Sequence, residues 1–471
     1  MRVFKNANMR FACILFVTLC LPFACAQTHT VTDLWTQIGE ALNGTASSSI
    51  FGSSASLSSD GTILAVGAPK QGSQQGAVYV YNRTNTGWNQ IGNQISGNDP
   101  LNQGWFGFDL SISGDGETLA IGEPKYNSNS GRVGIYKFTN NGWENTYSLN
   151  TTQLNGQFGS SVSLSKDGLV VAIGAPYENH NQGNAYVYEF SEESWISRDS
   201  EDGFIFTSDE DDIHFGKSVS LSSNGSMFAV GSPTRAKGYT RIFGWTQQQQ
   251  NQARRLLNLQ QDRYVQVGED IIGEANSDLS GHPIALSSSG EVIAIAGPKN
   301  DGDNKTNSGH VRVYRLYDQT WHQLGQDING ENPGDGNNVY SVAMNGDGTV
   351  IAVGAVWNTN GEENADNRGH VRVYTYDSLT NWTQLGEDFD GAEKADQLGS
   401  CVALSETANV LAIGAQFANT DTKNNVGQVQ VHRYTLPPPS PPPSPPPSPS
   451  PPPPPPPPSP PPPPPPPSPP P

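Results

Sequence analysis

One motif recurs seven times along this chain of 471 residues. A chain made of copies of one unit either stacks them in an open array or closes them into a ring. The first copy reads FGSSASLSSDGTILAVGAP from Phe51, then GAVYVY from Gly76, then WNQIG from Trp88. The opening returns at Phe106, Phe158 and Phe215, and in weaker form at Ser280, Asn338 and Leu398, with steps of 55, 52, 57, 65, 58 and 60 residues. Each copy holds four strand signals. SASLS alternates and runs into a turn such as Asp60-Gly61, Asp115-Gly116, Asp167-Gly168, Asn224-Gly225 or Asp347-Gly348, the strongest short hairpin signal. The second strand is apolar on both faces and aligns Ala65, Ala120, Ala172, Ala229, Ala294, Ala352 and Ala412. Two residues on stand Gly67, Gly122, Gly174, Gly231, Ala296, Gly354 and Gly414. Small buried residues belong where sheets crowd near the axis of a radial array. The third strand, GxVxVY, alternates, and the fourth carries an aromatic residue.

That aromatic decides closure. It follows the third strand in units one to six, as Trp88, Trp143, Trp195, Tyr264, Trp321 and Trp382. Unit seven ends at GQVQVHRYTL with no such strand after it, yet an orphan WTQIG stands at Trp35, before unit one. The arithmetic predicts an all-β fold: a seven-bladed β-propeller of four-stranded antiparallel blades over residues 27–436, with 35–39 completing blade seven. A closed ring leaves no sheet edge exposed. These motifs resemble the FG-GAP repeat of integrin α-chains and of many secreted microbial and algal proteins, over roughly residues 35–435. The resemblance implies a propeller that binds ligands on one face. Integrin-type blades often hold calcium in a D-x-D-x-D-G loop between the first two strands. The two-residue turns here leave no room for it, so that calcium is not carried over.

The ends are segments of another kind. Residues 1–26 carry Arg2, Lys5 and Arg10, then an apolar run from 11 to 24 too short to span a bilayer, then Ala24-Cys25-Ala26. This is the pattern of a signal peptide. Of four cysteines only Cys401 lies beyond it, so no internal disulfide is expected. Residues 437–471 are only Pro and Ser, a polyproline II or disordered tail reaching on the order of 100 Å. Its SPPP pattern resembles the hydroxyproline-rich glycoproteins of plant and green-algal walls. Sequons at Asn43, Asn82, Asn150, Asn224, Asn304 and Asn381 add N-glycosylation sites. The expected location is secreted, in the extracellular matrix or cell wall. A formal charge of −19, or −19 − 3 = −22 without the leader, argues against nucleic acid and anionic lipid as partners.

Catalytic signals are weak. His310 and His370 share one place in GHVRVY and read as repeat structure, and the other histidines are scattered without metal spacing. The Ser-rich FGSS stretches recur as strand, and none forms a G-x-S-x-G elbow. No catalytic or cofactor-binding residue is assigned. Strand alternation puts the long connections 198–214, 269–280, 327–338, 356–369 and 387–397 on one face. Their carboxylates are dense enough to suggest that they do not serve the fold. Asp209, Asp211, Asp212, Asp301 and Asp303 are candidate calcium ligands, and the competing explanation is a solvated acidic surface. A short peripheral helix is expected at 253–261. The expected function is a non-catalytic adhesion module binding an extracellular protein or glycan, with the tail engaging wall components. The alternatives are a secreted hydrolase using the propeller channel and the ectodomain of a truncated cell-surface receptor.

Overall fold

The computed structural model describes residues 34–99, 103–198, 206–207, 214–234, 236–246, 263–330, 339–357 and 367–435. The expected signal peptide (1–26), the expected helix at 253–261 and the Pro/Ser tail lie outside the described residues. The chain divides into two units, Met1–Thr435 and Leu436–Pro471, and the described residues all belong to the first. They form seven antiparallel sheets. Blade one runs Ser54–Leu57, Ile63–Ala68, Ala77–Arg83 and Trp88–Gln90, each strand paired with the next. Blade seven runs Leu398–Leu404, Val410–Ala415 and Gln428–Tyr434, and its outer strand is Trp35–Gln37. Trp35 pairs with Tyr434 and Gln37 with His432. The two ends of the ring share one sheet, as the orphan motif requires.

The outer strand differs from the simple expectation. In six blades it is broken in two, so that Ile95–Ser96, for instance, also pairs with Ala77–Arg83. In five of them the break falls at the glycine of WxQxG or YxQxG, which adopts positive φ at Gly39, Gly92, Gly268, Gly325 and Gly386; blade three, with Trp195-Ile196-Ser197-Arg198, has no such glycine. Residues 271–272, 328–329 and 389–390, assigned to linkers from sequence, are the second halves of these strands. The same glycines let the indole of the following blade pack close. Trp321 lies against Gly268, Trp382 against Gly325 and Trp35 against Gly386. Each indole N–H then donates to the preceding blade, from Trp321 to Val267 O (2.9 Å), Trp382 to Leu324 O (2.7 Å) and Trp35 to Leu385 O (3.1 Å).

The inner seam explains the rest of the repeat. All seven alanines of the Ala65 column are fully buried. A Cβ on Gly67, Gly122, Gly174, Gly231, Gly354 or Gly414 would lie under 3.0 Å from the carbonyl oxygen of the FG glycine in the next blade. Phe51, Phe106, Phe158 and Phe215 are among the largest fully buried side chains. The serines of the first strand stitch blade to blade, since the amides of Leu164, Leu221 and Leu286 each donate 3.0 Å to Ser111, Ser163 and Ser220 Oγ. Among the described residues no helix is long and apolar enough to cross a membrane.

Candidate functional site

The two ends of the ring axis are built differently. At the hairpin end, the amides of Ser59, Gly114, Lys166, Ser223, Ser288 and Gly346 each donate to the carbonyl of the next residue in that series. Glu406 donates back to Ser59, closing a belt of seven hydrogen bonds of 2.8–3.0 Å. Lys166 and Glu406 form an ion pair, and both side chains bond to Ser288 Oγ, at 2.8 and 2.6 Å. Three blades are thus tied together beside a cavity of about 130 Å³ lined by Leu57, Ile112, Leu164, Leu221, Leu286, Met344 and Leu404. The hairpins themselves are saturated. Asp60 Oδ1 accepts from Thr62 N, Thr62 Oγ1 and Ser58 Oγ at 2.7–2.9 Å. Asp115, Asp167, Asn224 and Asp347 repeat the pattern. Among the described residues these hairpins hold no ligand loop.

The opposite end opens into a cavity of about 510 Å³. It is lined by the two residues that follow FG in each unit, among them Ser53, Phe108, Asp109, Lys217, His282, Tyr340 and Cys401. Burial pushes the Asp109 carboxyl up to about 6, although the Val162 (2.7 Å) and Leu110 (2.9 Å) amides donate to it. Burial, with Lys217 adding to it, holds His282 down at about 3, so its ring is neutral near pH 7. Burial also lowers Lys217. The hydroxyls have other commitments: Ser54, Ser161 and Ser341 Oγ donate to the carbonyls of Gly107, Gly216 and Gly399 at 2.7–2.9 Å. Cys401 Sγ contacts Gly52 O at 3.1 Å, and burial pushes its thiol up to about 12. The cavity therefore offers an amine, a carboxylate, a neutral imidazole and a phenol. Its serines other than Ser53, whose Oγ has no hydrogen-bond partner among the described residues, are engaged with main-chain groups, and its thiol is protonated.

The candidate calcium ligands do not converge among the described residues. Asp209, Asp211 and Asp212 lie outside them. Asp301 Oδ1 accepts from Asn307 N (2.7 Å), Asp303 lies in the 3-10 turn Gly302–Asn304, and neither belongs to a group able to share an ion. The idea that the acidic linkers do not serve the fold needs correction. Arg241 holds Asp270 through two bonds of 2.8 Å, and Arg372 holds Asp388 through bonds of 2.6–2.9 Å. Of the sequons, Asn43, Asn150, Asn224 and Asn381 are exposed, and Asn82 is half-buried in its strand. Asn304 ends the 3-10 turn of blade five.

Two groups were missed from sequence: Glu274, His310 and Asp327, and His370, Asp388 and Asp390. Their members come from different strands and linkers. The signal was the matching place of the two histidines in GHVRVY.

The FG-GAP repeat family matches residues 153–188, which span the first two strands of blade three and enter the third. No curated protein matches the chain. With the FG glycine recurring in six units and the small-residue column and outer-strand aromatic in all seven, the chain is a seven-bladed β-propeller whose residues 153–188 match the FG-GAP repeat.

Proposed function

We propose that this propeller is a secreted, non-catalytic binding module of the cell wall or extracellular matrix that captures a protein or glycan on its loop face. The observation that carries the proposal is the asymmetry of the ring. One end is closed by saturated hairpins and a hydrogen-bonded belt, and the other presents a polar cavity bordered by the divergent connections. Divergent loops on a rigid frame are how binding surfaces are built. The leader-like first 26 residues and the Pro/Ser tail support an extracellular setting in which the tail spaces the propeller from the wall. The commitment of Ser54, Ser161 and Ser341 to main-chain carbonyls supports binding over hydrolysis.

Probing glycan and matrix-protein arrays with the full chain, beside a variant lacking 437–471, tests the proposal. Binding that survives loss of the tail and is removed by Lys217→Ala or Tyr340→Ala supports it. The hydrolase alternative draws on Asp109 and His282 facing one cavity. Turnover of polysaccharide or ester substrates, abolished by Asp109→Asn and His282→Asn, would replace the proposal with that alternative.

A further inference from the structure

We propose that Glu274, His310 and Asp327 form a binding site for a divalent transition metal of the zinc class on the loop face of blade five. Their ligand atoms all lie within 4.8 Å of one another. His310 Nδ1 is 3.7 Å from Glu274 Oε2 and 3.8 Å from Asp327 Oδ2, beyond hydrogen-bond reach of both. Zinc bonds of about 2.0–2.2 Å in a tetrahedron set ligand atoms about 3.3 Å apart. Closing those two gaps takes about half an ångström each, which Glu274 and Asp327 can supply because their side chains are 47% and 29% exposed.

An independent observation is the state of His310. The residue is 1% exposed, and neither ring nitrogen has a hydrogen-bond partner. Leaving a buried polar group unpaired is unfavourable, and a metal at Nδ1 would satisfy it. The Nε2 edge faces the backbone at Gly297, where a Cβ would meet it at 2.8 Å, so Nδ1 is the coordinating atom.

The neighbouring blades show what blade five has given up. In blades four and six the equivalent aspartates are clamped by arginine, as Arg241–Asp270 and Arg372–Asp388. In blade five Arg312 instead donates to Ile272 O (3.0 Å) and lies 3.7 Å from Glu274 Oε1. Asp327 keeps the glutamine contact of the repeat (Gln323, 2.6 Å) and turns its other oxygen to His310. Asn300 Nδ2, 3.2 Å from Glu274 Oε2 and 3.0 Å from Asp278, supports the glutamate from behind. One nitrogen and two carboxylates suit zinc, whereas calcium and magnesium prefer six or more oxygens. The nearby Arg312 charge moderates affinity without cancelling two carboxylates.

The test is titration of the chelator-stripped full chain with Zn²⁺ alone, followed by calorimetry and by Co²⁺ absorption. The expected result is one ion bound per chain with a visible Co²⁺ band of low-symmetry, four-coordinate type. His310→Gln should weaken binding at least 100-fold and Glu274→Gln, at the exposed rim, about 10- to 100-fold. His370→Gln, whose neighbour Asp388 is held by Arg372, should leave it unchanged. Absence of binding, or binding indifferent to both His310→Gln and Glu274→Gln, overturns the proposal. Glu274→Gln keeps the test decisive if the buried histidine variant fails to fold.

Discussion

Replacing Trp35 by alanine should weaken the whole ring, because this one side chain joins the beginning of the chain to two blades. Trp35 is 7% exposed and packs against Phe389 of blade six and Tyr434 of blade seven, with ring centroids 6.1 and 5.2 Å apart. Its N–H donates to Leu385 O, which would lose that partner. Truncating a buried tryptophan costs about 3–5 kcal/mol, the lost bond included. Roughly 400 residues unfolding together at about 2.1 cal/mol/K per residue give an unfolding entropy near 0.85 kcal/mol/K. The melting temperature should therefore fall by about 4–6 °C in differential scanning calorimetry. Trp88→Ala is the control. That indole is half-buried and its N–H has no partner, so its loss should be about half as large. A Trp35→Ala chain melting within about 1 °C of the parent would refute the claim that the first strand locks the ring.

The seam between blades makes a second prediction: Gly174→Ala forces a methyl onto the Gly216 carbonyl and should cost more than about 2 kcal/mol, seen as reduced urea resistance. Acid stability supplies a third. Burial holds His432 at about 4 against the usual 6.5, so the unfolded chain takes up its proton first and stability falls as pH drops from 6.5 towards 4. His432→Gln should remove a slope of up to about 1.4 kcal/mol per pH unit in that window, and parallel melting curves across it would sink the assignment. Asp109 has the opposite sign. Its folded carboxyl near 6 makes stability rise as pH falls from 6 towards 4, so Asp109→Asn should abolish that gain in the same melting series.

Much of this architecture was legible because the physical demands repeat. Five Asx-Gly hairpin turns, a column of small residues and one displaced WTQIG were enough to count the blades and close the ring. The column held more than was taken from it. Its one alanine, Ala296, belongs to the blade whose neighbour begins with Val339 in place of the FG glycine, and the two residues share one core cluster. The carbonyl that excludes a methyl elsewhere comes from that glycine. Broken outer strands were hidden because a glycine at positive φ inside WxQxG looks like the start of a linker. That error also made Asp270 and Asp388 look unattached to the fold. The blade-five ligands escaped because Glu274, His310 and Asp327 sit on three separate segments. Only the ring brings them together, and a search for ligands spaced along one segment passes over them.

The most direct test of the account is hydrogen exchange on the full chain with and without the ligand that the arrays identify. The account predicts slowed exchange in residues 106–110, 269–283, 324–330 and 386–402, which line the cavity or the connections around it. Exchange should be unchanged in the hairpins at 58–63, 113–118 and 345–350. Protection confined to those hairpins would place the binding surface on the wrong end of the ring and contradict the account.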